Sequence, residues 1–163
     1  GVLLATDAAG APPRVAPARL ADCRRAAQAD NRAFWTLVKG ENLRLATDRL
    51  VYFAHWVTPD DQPLRFDTRF FAAPFPAGQE PAGDGHEVLD LRWFSPRGAL
   101  EAQARGEVSL RPVTARNLLL FDGAATTVEA LGRLRGRPVP EIRPRVVIEN
   151  GTRRVLIPGD PGY

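Results

Sequence analysis

From Trp56 to Phe71 the chain reads WVTPDDQPLRFDTRFF, and in its second half charged and apolar side chains alternate. Successive side chains of an extended segment point to opposite faces, so Phe66, Thr68, Phe70 and Ala72 share one face while Arg65, Asp67 and Arg69 share the other. Spaced at roughly 7 Å along a strand, the two guanidinium groups can cross-pair with the carboxylate between them, or can offer a fork of donors to phosphate oxygens. The plainer reading of the same row is a solvated face laced by salt bridges.

A second candidate is Glu87, which opens a predicted strand face continued by Leu89, Leu91 and Trp93. A carboxylate at the edge of an apolar face loses hydration, which favours its neutral form and suits it to act as a general base. The plainer reading is that Glu87 faces water at a strand end. Asp84 is the one plausible companion around a hard cation, since Asp90 alternates onto the opposite face. Two histidines and one cysteine make no zinc pattern, so His55 is expected to be a satisfied core histidine and His86 a loop residue. The chain has no phosphate loop ending in Gly-Lys-Ser/Thr, no dinucleotide glycine fingerprint and no nucleophile elbow. Phosphate chemistry here would therefore use arginines, carboxylates and metal-activated water.

The elements that must carry these residues follow from periodicity. Helical spacing of Leu20, Cys23, Ala27, Phe34, Leu37 and Val38 predicts one helix over residues 19–39, stopped at Gly40. Residues 50–57 are apolar on both alternating faces, as in a central strand covered on two sides. A strand over 65–72 comes next, then a Pro/Gly-rich connector over 74–85 and a third strand over 87–94. Ser95-Pro96 supplies an N-cap and a first-turn proline for a short helix ending near Gly106. Thr114 is expected to cap a helix running through Leu118 to Asp122-Gly123, and Thr126 with Glu129 makes a capping box for another ending at Gly136. Strands over 146–148 and 155–157 flank Asn150-Gly151, a dipeptide suited to a two-residue hairpin. Helices and strands interleave, so the class is α/β or α+β.

At 163 residues with 44% hydrophobic content, the chain is expected to form a single domain over 1–163. No apolar run approaches the roughly 20 residues that cross a bilayer. With no secretory leader in view and Cys23 alone, the cytoplasm is the default compartment and Cys23 a small core residue. The pI near 9.7 invites a nucleic-acid reading, but the net charge is only +3 and the basic residues are scattered. Of 22 Lys plus Arg residues only Lys39 is a lysine, leaving 21 arginines, a bias that fits a GC-rich coding sequence. The absence of methionine makes a processed product or a fragment the expectation.

Taken together, HWVTPDDQPLRFDTRFF, GDGHEVLDLRWFSPRGAL, RPVTARNLLL and VLIPGDPGY resemble the C-terminal two-thirds of a Nudix hydrolase. The similarity spans residues 1–163 and is closest to the branch containing the peroxisomal coenzyme A diphosphatase and its bacterial relatives. Nudix enzymes share a box ending Arg-Glu, aliphatic, any, Glu-Glu, any, Gly, aliphatic, whose glutamates hold magnesium or manganese. Gly1-Val2, followed by Leu3-Leu4-Ala5, resembles the end of that box and the strand after it, so the metal-ligand glutamates carry over onto no residue of this chain.

The resemblance implies an α/β/α sandwich with a mixed sheet, truncated at its amino end so that the first strands and the catalytic helix are absent. It further implies metal-dependent hydrolysis of a diphosphate bond in a nucleoside-diphosphate-linked substrate, coenzyme A or a derivative first. Arg65 and Arg69 match the arginine-bearing strand that faces the diphosphate, and Glu87 matches a glutamate bordering the metal site, where it would accept a proton. Mg2+ or Mn2+ would serve the parent enzyme, and the chain alone would be inactive or nearly so. The expected partner is a small-molecule nucleotide or coenzyme A derivative, with no nucleic acid and no membrane, and with a homodimer left open. The chain ends Pro161-Gly162-Tyr163 rather than in a Ser-Lys-Leu type address, which argues against a peroxisome. The rival reading is a non-catalytic nucleotide- or protein-binding domain on the same scaffold.

Overall fold

The computed structural model describes residues 1–149 and 151–163, the Arg153 side chain excepted. It is an α/β protein whose chain divides into two compact units, Gly1–Leu50 with Pro74–Trp93, and Val51–Ala73 with Phe94–Tyr163. No helix among the described residues is long and apolar enough to cross a membrane.

In the first unit β1 (Ala5–Thr6) pairs antiparallel with β2 (Arg44–Leu45), and helices α1 (Pro17–Ala29) and α2 (Arg32–Gly40) pack together. Leu3, Ala5 and Leu37 form its core, with Leu20, Cys23 and Phe34 packed against them. Cys23 is thus the half-buried core residue that its small apolar character suggests. The single helix expected over residues 19–39 is two. Asp30 is extended at φ −149°, and its Oδ1 accepts from the Arg32 amide at 2.9 Å. A carboxylate that bonds the backbone locally starts the chain afresh, while the apolar stripe carries on across the break. Residues 74–85 form neither helix nor strand, but Gln79 fixes this connector to the unit. Its amide nitrogen donates to the Leu3 carbonyl and its oxygen accepts from the Leu3 amide, each at 2.8 Å.

The strand expected over 87–94 is absent, and the reason lies in where its donors go. Oδ1 of Asp84 accepts from the amides of His86, Glu87 and Val88, each at 2.9 Å. Asp90 Oδ1 takes the Leu91 amide at 2.8 Å. Side chains that satisfy the backbone in this way compete with a ladder. The alternating apolar residues remain uncovered as a result, Leu89 at 80% and Trp93 at 74% exposure.

In the second unit β3 (Val51–Val57) is the central strand of a three-stranded mixed sheet, as its two apolar faces predict. It pairs antiparallel with β4 (Asp67–Ala72) and parallel with β5 (Glu141–Ile142). The register shifts between Tyr52 and Ala54, and this bulge lets Phe53 join Val51 and Ala72 in the apolar cluster. Helix α5 (Thr127–Leu134) covers that side with Leu131 and Leu134. The cap half of its expected capping box forms, Thr126 Oγ1 accepting from the Glu129 amide at 3.1 Å, while Glu129 reaches back one residue further and accepts from the Ala125 amide at 2.9 Å. Thr126→Ala is expected to destabilise the unit by about 1 kcal/mol, read from the midpoint of urea unfolding.

Helix α3 (Pro96–Ala104) begins as predicted, Ser95 Oγ accepting from the Gly98 amide at 3.0 Å. Helix α4 (Pro112–Leu119) starts earlier than expected, with Thr114 inside it. Proline at its first position already sets the helical φ and extends the residue before it, so no threonine cap is needed. Strands β6 (Arg145–Glu149) and β7 (Thr152–Leu156) form the expected hairpin. Asn150 of its predicted turn lies outside the described residues, and Gly151 takes a φ of +76°.

Candidate functional site

Beyond the bulge the two faces of β4 separate as its composition demands. Thr68, Phe70 and Ala72 are half-buried, while Asp67, Arg69 and Phe71 are exposed. Arg65 and Phe66 lie outside the strand. The amide of Thr58 donates to the Phe66 carbonyl at 2.9 Å, but the Phe66 amide turns to the Thr58 hydroxyl at 3.0 Å. Substitution of a side-chain acceptor for the backbone carbonyl ends the ladder there. Arg65 is freed to reach the Thr58 carbonyl at 3.4 Å and to pair with Asp60.

On the exposed face the register sets His55 opposite Arg69 and, on the other side, opposite Glu141. His55 is 12% exposed, and its Nε2 lies 2.6 Å from Asp67 Oδ1. That contact fixes the ring orientation. Arg69 reaches the same oxygen at 3.4 Å, and Arg143 bridges Glu141 at 2.5 Å and Asp60 at 3.4 Å. Arg65, Arg69 and Arg143 therefore stand in one polar row with Asp60, Asp67, Glu141 and His55. Sequence reasoning found Arg65 and Arg69 but not His55, Asp60, Glu141 or Arg143. The first is recognisable only once the register across the intervening loop is known; Glu141 opens a two-residue strand between prolines, and Arg143 lies just past its end.

The His55 hydrogen bond is the largest cause holding the Asp67 carboxyl below its ordinary range, and the Arg69 charge adds to it. The sign follows from linkage: a carboxylate with a lowered folded-state pKa contributes stability above its unfolded pKa and loses it as pH falls through the folded one. Acidification from about pH 5 to about pH 2 is expected to lower the urea midpoint, and less so for Asp67→Asn, as parallel unfolding curves would show.

Glu87 belongs to the other unit, where its side chain is exposed and its amide is bound to Asp84. The apolar strand face that was to desolvate it does not form. Asp84 is held below the usual carboxylate range, first by the Val88 amide and then by His86. With one oxygen engaged by three amides, it is poorly placed to serve a cation. Among the described residues no group of three or more His, Cys, Asp or Glu is placed to hold a metal ion. What the arginine row can do is hold an oxyanion, because exposed ion pairs are weak and exchange readily for a ligand's oxygens.

The fold and the site define an α/β protein with a mixed sheet bearing an arginine-carboxylate row. Comparison with family models, with curated proteins and with solved structures gives no match.

Proposed function

We propose that this chain carries the substrate-holding part of a Nudix-type α/β/α sandwich, with Arg65 and Arg69 binding the diphosphate of a nucleoside-diphosphate-linked substrate. Coenzyme A or a derivative is the first candidate. The observation that carries the reading is the polar row itself: three guanidinium groups, Arg69 on β4 with Arg65 and Arg143 just beyond the strand ends, engage carboxylates through solvent-accessible bridges. Diphosphate oxygens would displace those carboxylates, and Arg143 would join the two arginines that the sequence resemblance names. The glutamates of a Nudix box are not among the 163 residues, so the role assigned to this chain is binding, with little or no bond cleavage of its own. Glu87 stays a proposed proton acceptor on the resemblance alone.

The rival reading is a non-catalytic nucleotide- or protein-binding domain on the same scaffold. One experiment addresses both. ADP and coenzyme A are titrated into the chain by calorimetry with magnesium present, and hydrolysis is followed separately for this chain and for a form extended at its amino end. Salt-sensitive binding without turnover is the expected result for the chain as given. No binding, or appreciable turnover by the chain alone, overturns the assignment. Turnover confined to the extended form selects the hydrolase, and turnover by neither selects the binding domain.

A further inference from the structure

The apolar face of β4 borders a cavity to which the polar row contributes no arginine. Its volume is about 370 Å³, near the lower end of the roughly 300–1,000 Å³ typical of small-molecule sites. Trp56, Phe66 and Phe70 supply aromatic surface. Val146 and Val155, direct partners across the β6–β7 hairpin, supply aliphatic surface. The start of α4 completes the lining with Arg111, Pro112 and Val113, so every wall comes from the second unit.

Arg111 differs from the arginines of the polar row. Its exposed side chain has no ion pair, hydrogen-bond or ring partner among the described residues, whereas Arg116 on the same helix pairs with Asp160 at 2.7 Å. As the N-cap of α4 it makes no side-chain capping bond, and among the described residues the Val113 and Thr114 amides have no protein acceptor, whereas Ala115 donates to the Arg111 carbonyl at 3.0 Å. An unpaired guanidinium therefore stands beside donors directed toward the helix start, at the rim of a space whose walls are mostly aromatic and aliphatic.

We infer that this cavity is a binding site for a small organic carboxylate, its aryl or acyl body filling the space between Trp56, Phe70 and the hairpin valines and its carboxylate pairing with Arg111. The walls choose the apolar body, since displacing poorly bound water from such surface gains roughly 25 cal/mol per Å². Arg111 chooses the head group: one planar fork matches one carboxylate, and a diphosphate would need more cation than this rim offers. The site is separate from the diphosphate reading and stands if that reading fails, because its ligand contains no phosphorus.

Calorimetric titration with 2-naphthoate and its neutral isostere 2-naphthamide tests the inference on the chain as it exists and on Arg111→Gln. Naphthoate is expected to bind about tenfold more tightly than the amide to the unsubstituted protein, the size of one hydrogen bond to a charged group. Arg111→Gln is expected to erase that preference while leaving the amide's affinity unchanged. Saturating ADP is expected to leave naphthoate binding unaltered. Absence of naphthoate binding, equal affinity for the two probes, persistence of the preference in Arg111→Gln or displacement by ADP each overturns the proposal. So does loss of both probes in the variant, because among the described residues the Arg111 side chain makes no ion pair or hydrogen bond whose loss would unsettle the fold.

Discussion

Trp56→Ala is expected to destabilise the second unit by about 3–5 kcal/mol, the largest single-residue effect that its packing supports. Trp56 sits in the middle of the sheet at 7% exposure, and its indole Nε1 donates to Asn117 Oδ1 at 3.0 Å across the space between β3 and α4. Asn117 is the buried polar residue among the described ones, so the bond satisfies two groups at once. Truncation would remove the ring from the core and leave the Asn117 oxygen unpaired. Trp56→Phe separates these effects: it retains most of the apolar body and loses only the donor, for an expected cost of about 1–3 kcal/mol. Urea unfolding followed by far-ultraviolet circular dichroism measures both variants. Equal losses would mean that the hydrogen bond, and not ring burial, anchors α4 to the sheet.

That bond also shows what composition could and could not reveal. β3 was legible because residues 51–57 are apolar at both alternations, a pattern that only a covered central strand tolerates. The starts of α3 and α5 were legible because Ser95-Pro96 and Thr126 with Glu129 act over three residues, within the reach of local sequence. The failures are competitions that local patterns do not record. Asp30 interrupts an apolar stripe whose period is undisturbed, and Asp84 and Asp90 draw away the amides that a strand over 87–94 would need. β5 is two residues long between Pro140 and Pro144 and exists only because β3 offers it an edge. For the candidate site, the alternation on β4 placed Asp67 and Arg69 correctly. The register that brings His55, Glu141 and Arg143 beside them is a long-range property, set where Thr58 closes the loop onto Phe66.

The polar row is self-neutralising, and from this the sharpest functional expectations follow. Arg69→Ala is expected to weaken ADP binding about tenfold, one hydrogen bond to a charged group less the weak surface pair that Arg69 gives up. Asp60→Asn is expected to act in the opposite direction. Asp60 is the carboxylate shared by Arg65 and Arg143, so neutralising it frees Arg65 from its ion pair, leaves Arg143 held by Glu141 alone, and adds one net positive charge to the row. Affinity should rise severalfold at low salt, and the gain should shrink as ionic strength shortens the reach of these charges. Asp67→Asn does not give the same gain, because Asp67 also fixes His55: the variant frees Arg69 but loosens the imidazole beside it. A row that only ties strands together predicts another pattern, with unfolding midpoints shifting slightly and nucleotide affinity indifferent to all three substitutions. Calorimetry at two salt concentrations distinguishes the cases, and the decisive sign is that of Asp60→Asn, since loss of a structural ion pair has no means of tightening a ligand.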